Sequence, residues 1–206
     1  MSPVKVNVGG TWKDAASVHT RVGGVWKTAA DMPVRVGGVW KTGNLITGAF
    51  ESIASTSVTG ASFVDFTSIP QTYSYLQLRF YGLSGVSNAS TDLFLHFNGN
   101  QSNYAYNYVR TTTAPSFSAS SQINQGNIFI GRLQQGNSTN YTSIIADIYG
   151  YSNTGMGTTV KYIGGSNGQL DAGGGFWSTT SAVTSMRLSM FQTITGVVSL
   201  YGIKVA

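Results

Sequence analysis

With 206 residues and no cysteine, the chain has room for one domain of ordinary size plus an appended element, and it can build neither a disulfide framework nor a thiolate site. Charged residues are only 9%, against roughly 25% in an average soluble protein, and glycines number 26, about double the usual share. The net charge of +5 is uneven, because residues 1–45 hold six cations against two carboxylates while residues 46–206 hold six against five.

In chain order, the first element is a repeat. "VNVGGTWK" (6–13) returns as "RVGGVWK" at 21–27 and again at 35–41, with an offset of 14 residues. A Gly-Gly pair between β-branched residues predicts a two-residue hairpin turn, since both central positions of a type I′ turn need positive φ. Each unit is therefore expected to be a β-hairpin. That register sets Asn7 opposite Trp12, Arg21 opposite Trp26 and Arg35 opposite Trp40. A guanidinium across an indole adds about 0.5–1 kcal/mol, so the first hairpin, with Asn7 in place of arginine, should be the weakest. Isolated hairpins are marginal in water. These must stack into a meander, pair with other subunits or lie on a partner; on a partner, Trp12, Trp26, Trp40, Arg21, Arg35, Lys13, Lys27 and Lys41 are the docking residues, and the alternative is that the tryptophans only staple an intramolecular sheet. The positive groups are single and spaced rather than clustered, which argues against nucleic acid.

From residue 46 the texture changes to short β-rich segments. Strands are predicted at 72–82, 91–97, 103–111, 126–133, 141–151, 158–165, 182–191 and 196–206, with turn clusters such as Asn98-Gly99 and Gly173-Gly174-Gly175 between them. No amphipathic helix is evident. The fold class expected is all-β: hairpin repeats over 1–45, then a jelly-roll-like antiparallel β-sandwich head over 46–206. "MSPVKVNVGG" has no apolar signal core, and no run nears the ~18 apolar residues of a spanning helix, so synthesis in a cytoplasm without membrane insertion is expected.

Chemistry is sparse. His19 and His96 have no metal-ligand spacing, and no G-x-S-x-G elbow marks a serine nucleophile. Glu51, Asp65, Asp92, Asp147 and Asp171 are too scattered in sequence for spacing to support or exclude an acid/base pair. His96 alternates with Phe94 and Asp92 along one strand face and reads as a histidine hydrogen-bonded to a neighbour. No catalytic residue, cofactor or metal is expected. Tyr104, Tyr106 and Tyr108, beside Asn103 and Asn107, share a strand face; aromatic rings with amides suit a saccharide surface, and core packing or a subunit contact is the alternative.

The segments "FTSIPQTYSYLQLRF" (66–80), "LFLHFNGNQSNYAYNYVR" (93–110), "SIIADIYGYSNTGMGTTVKYIGG" (143–165), "GFWSTTSAVTSMRLSM" (175–190) and "SLYGIK" (199–204) resemble, in this order, the β-sandwich domain of minor structural, fibre and capsid-decoration proteins of tailed bacteriophages. The V-G-G-x-W-K repeats resemble those placed before such domains. Asn100 departs from the family's acidic residue in "FNGD". The resemblance implies a non-enzymatic virion-surface protein, commonly a homotrimer, attached to other virion proteins by its N-terminal part with its C-terminal part outward. The alternative it leaves open is a receptor- or glycan-binding adhesin of the tail.

Overall fold

The computed structural model describes residues 5–8, 11–14, 19–22, 25–28, 32–36, 39–43, 49–87, 89–112, 116–134, 141–166 and 168–205, those before residue 49 as backbone only. The chain divides into two units, Met1–Thr47 and Gly48–Ala206.

In the first unit, β1 (Lys5–Val8) pairs with β2 (Thr11–Asp14), β3 (His19–Val22) with β4 (Val25–Thr28), and β5 (Met32–Val36) with β6 (Val39–Gly43), each as a separate antiparallel two-stranded sheet. Asn7 stands opposite Trp12, Arg21 opposite Trp26 and Arg35 opposite Trp40, the register that two-residue loops require. The expected positive φ of Gly9-Gly10, Gly23-Gly24 and Gly37-Gly38 lies outside the described residues. No ladder joins one hairpin to the next among the described residues, so a hydrogen-bonded meander is not what is seen there.

The second unit is all-β and sandwich-like. Its strands are β7 (Phe50–Phe66), β8 (Tyr75–Ser84), β9 (Thr91–Phe97), β10 (Tyr104–Thr111), β11 (Phe117–Gln125), β12 (Ile128–Leu133), β13 (Thr142–Tyr149), β14 (Thr158–Ser166), β15 (Gln169–Trp177) and β16 (Met186–Ile203). They form one antiparallel sheet in the order β11-β10-β15-β14-β13-β8-β16-β9-β12, with β7 also on β16. The long strands β7 and β16 make a ribbon shared by both layers. Along it, residues 194–203 of β16 pair with β8 and residues 186–190 pair with β9. Between these stretches the register jumps, Ser189 facing Phe63 and Ile194 facing Ala61. Extra residues on one strand of a pair bend it, and here the bend turns β9 and β12 back over the larger layer. β12 then lies against β10, β13, β14 and β15 without pairing with them.

The core follows from period-2 alternation. Leu76, Leu78 and Phe80 on β8, Leu93, Leu95 and Phe97 on β9, and Ile144, Ala146 and Ile148 on β13 are all buried between the layers. Burying each large apolar side chain contributes about 1.5–3 kcal/mol. At one end Trp177 stacks on Tyr104, with ring centroids 5.9 Å apart. The expected Asn98-Gly99 turn is present: φ is 53° and 67°, and Asn100 N–H donates to the Phe97 carbonyl at 2.9 Å.

One expected turn is not a turn. Gly173-Gly174-Gly175 lies inside β15, with no positive φ. The glycines serve close approach instead: a Cβ on Gly173 would strike the Asn107 carbonyl and the Tyr162 hydroxyl, and one on Gly175 would strike Ile128 of the overlying β12. The segments predicted at 182–191 and 196–206 are a single bent strand, β16.

Candidate functional site

The docking residues read from the repeats take equivalent positions. Trp12 and Lys13 lie on β2, Trp26 and Lys27 on β4, and Trp40 and Lys41 on β6, with Arg21 and Arg35 on the partner strands β3 and β5. Lys13, Lys27 and Lys41 stand opposite Val6, Thr20 and Val34.

The tyrosine stripe does share one face of β10, but it is the inner face. Tyr104 is 1% exposed and its hydroxyl donates to backbone carbonyls; burial pushes its pKa up to about 12. Tyr106 and Tyr108 pack against the core, their rings 6.1 and 4.7 Å from that of Phe129 on β12. Tyr104 is closed to a sugar, while Tyr106 and Tyr108 are half-buried with one side of each ring turned to Phe129. Beneath it lies a buried ion pair: Arg110 Nε donates to Asp171 Oδ1 at 2.5 Å, and Asp171 Oδ2 accepts from Arg132 N–H at 3.0 Å and from Gln169 Nε2 at 2.7 Å.

A polar cleft opens elsewhere, on the outer side of the smaller layer, with a volume of about 360 Å³. The β7–β16–β9 register builds it as a grid. One row across the strands is Asp65, Arg187, His96, and the next is Phe63, Ser189, Phe94. Arg187 donates to both Asp65 oxygens at 2.7 Å, which holds the carboxyl below its usual range, and its guanidinium lies 4.3 Å from the centre of the Phe63 ring. His96 Nε2 and Ser189 Oγ share a hydrogen bond of 2.7 Å. Thr67, Ser185, Gly99 and Gln101 complete the wall, and Phe66 and Met186 the floor. Phe63, half exposed, and Phe191, 77% exposed and packed edge-on against Phe94 at 5.0 Å, stand outside the cleft's lining, in the neighbouring row of the same strand face. None of these residues was singled out as a site from sequence except His96 and Asp65, weighed there only for metal or acid/base work. Asp65 is engaged by Arg187, not His96, so no Ser–His–Asp relay is assembled here. Among the described residues no cluster of three or more His, Cys, Asp or Glu side chains is placed to hold a metal ion.

Burial lowers the pKa of His96, assisted by the Arg187 charge and opposed by backbone groups of Gly126 and Asn100. The folded chain thus binds this proton less readily than the unfolded chain, whose histidine titrates near the ordinary value of about 6.5. The stability due to neutral His96 is fully present above that value and is lost as pH falls through it. Urea midpoints should therefore drop between about pH 7.5 and 5.5, and His96→Gln should flatten that segment of the profile. An unchanged slope in the variant would remove His96 as its source.

The outer side of the larger layer is different in character. Tyr81, Tyr141, Ile163, Leu170, Phe176 and Val109 are all exposed there, with Tyr81 and Tyr141 stacked at 5.1 Å. Its charged residues are Arg79, Asp147 and Lys161; Arg79 Nε donates to Gln77 Oε1 and Gln77 Nε2 to Asp147 Oδ1, both at 2.7 Å, while the Arg79 guanidinium lies over Tyr201. Compared with known proteins, the chain matches no family model, no curated protein and no solved structure.

Proposed function

We propose that the chain is a non-enzymatic structural protein of the tailed-bacteriophage particle, a homotrimeric fibre or capsid-decoration component. Its hairpins dock on other virion proteins, and its head faces outward at the virion surface. The observation that carries this reading is the set of three separate hairpins in one repeated register, each placing a tryptophan across from Asn7, Arg21 or Arg35. Two-stranded ribbons of four or five residues per strand gain little stability alone, so equivalent copies in series serve multivalent attachment. The apolar outer side of the larger layer supports self-association, because contiguous exposed apolar patches of this kind mark interfaces. The sequence resemblance supports the particle as the partner.

The test is to replace Trp12, Trp26 and Trp40 together by alanine and sediment the protein with particles lacking it. Tryptophan hot spots are worth about 2 kcal/mol each, roughly 30-fold in affinity apiece, so the triple variant should stay in the supernatant. Stoichiometric co-pelleting of the variant would sink docking through the tryptophans.

A second reading, a tail adhesin whose head recognises a glycan, is favoured by one observation: the polar cleft, with exposed phenylalanines elsewhere on the same strand face.

A further inference from the structure

We infer that the cleft on the β7–β16–β9 face binds a neutral saccharide unit, with the Asp65–Arg187 pair, Gln101 and Ser189 taking its hydroxyls and Phe191, exposed on the same strand face next to Ser189, covering its apolar side. The inference rests on the glycan-recognising reading and moves the site from the tyrosines of β10 to another face of the head.

The chemistry is that of vicinal hydroxyls. Each sugar hydroxyl both donates and accepts, so adjacent hydroxyls are matched by an acceptor and a donor held side by side. Asp65 and Arg187 supply that combination: each carboxylate oxygen takes one hydrogen bond from the guanidinium and keeps accepting capacity, while Nη1 keeps both its N–H groups. Gln101, exposed in the wall, offers a further donor and acceptor. Ser189 is fixed by His96 at 2.7 Å, and both sit on paired strands, which hold side chains more exactly than loops do. An aromatic ring supplies the other half of sugar recognition by covering the C–H face of the ring. Phe191 is 77% exposed beside this grid, and the structure gives it no covering partner except the edge of Phe94.

The volume of about 360 Å³ falls in the lower part of the range of small-ligand sites, roughly 300–1,000 Å³, suited to one or two sugar rings and too small for a folded partner. Charge selects among sugars. Arg187 is neutralised by Asp65, so a carboxylated sugar would gain little from the guanidinium and would face a carboxylate.

The experiment is saturation-transfer-difference NMR on the full chain, with methyl glucoside, methyl galactoside, methyl mannoside, maltose and lactose as neutral probes and glucuronic and sialic acids as acidic ones. The wild-type chain should transfer saturation to at least one neutral probe. Arg187→Gln, Gln101→Ala and Phe191→Ala, all at exposed positions where folding is undisturbed, should each weaken that binding about tenfold, and Met156→Ser, exposed between β13 and β14, should leave it unchanged. Binding retained in all three cleft variants would overturn the cleft while leaving the adhesin reading standing. No transfer from any probe would overturn both, and binding confined to the acidic probes would overturn the neutral site. Far-ultraviolet dichroism of each variant confirms that lost binding is not lost fold.

Discussion

Replacing Asp171 by alanine is expected to lower the stability of the second unit by about 3–5 kcal/mol, the largest effect of any single substitution away from the apolar core. Asp171 is 2% exposed and gathers three donors: Arg110 Nε, the Arg132 backbone N–H and Gln169 Nε2. Without it the Arg110 guanidinium stays buried between the rings of Tyr108 and Phe129, 5.1 and 5.3 Å away, with no counter-charge. A buried ion is far more costly unpaired than paired. The loss would also act at a distance, because Asp171 on β15 and Arg132 on β12 form a clasp across two strands that share no ladder, and β12 pairs with β9, the strand of His96.

The exposed pair gives the contrast. Arg187 and Asp65 leave 49% and 38% of their side chains open to water, so Arg187→Gln should cost less than about 1 kcal/mol. Urea unfolding followed by near-ultraviolet dichroism measures both, and a loss below about 1 kcal/mol for Asp171→Ala would show that Arg110 finds other partners. The double variant Arg110→Met, Asp171→Leu should recover much of the deficit, since removing both charges leaves no uncompensated ion.

What could be read from the sequence was what local periodicity encodes. β9 was legible because Leu93, Leu95 and Phe97 alternate with half-buried Asp92 and His96, and the hairpin register because a glycine pair leaves the flanking residues few ways to face each other. β7 and β11 were missed. Each pairs on one side only, and "SIASTSV" or "FSASSQINQ", largely exposed, has no buried face to force an alternation. β15 was missed because its three central glycines look like a turn until β10 and β12 are seen pressing on them. For the tyrosines the alternation was right, but which face of β10 turns inward is set by the arrival of β12, a long-range event. The cleft shows the same limit: Asp65, His96 and Arg187 share a row only through pairings more than 90 residues apart in sequence, and no short motif announces them.

The second large effect belongs to the other face. Placing lysines at Ile145 and Ile163, which stand opposite each other near the middle of the larger layer's outer side, should convert the proposed trimer into monomers. Eight strands, β7 included, spaced by about 4.8 Å and roughly eight residues long give a face on the order of 900 Å², comparable to the approximately 800 Å² each partner contributes to a stable interface. Such a face tolerates the change in the free chain, because both side chains are already exposed and strand propensities differ by no more than about 1 kcal/mol. In an assembled trimer the two ammonium groups would be desolvated without partners, and a loss of at least 2 kcal/mol per site would raise the dissociation constant by about 1,000-fold. Sedimentation velocity at micromolar concentration reads the outcome: wild-type trimer and variant monomer, each with unchanged far-ultraviolet dichroism. A monomeric wild-type chain would remove the face as an interface, and a trimeric variant would place the contact elsewhere. Salt separates this face from the hairpins, since apolar association with few charges should hardly respond to ionic strength, whereas attachment through Lys13, Lys27 and Lys41 should weaken as salt screens them.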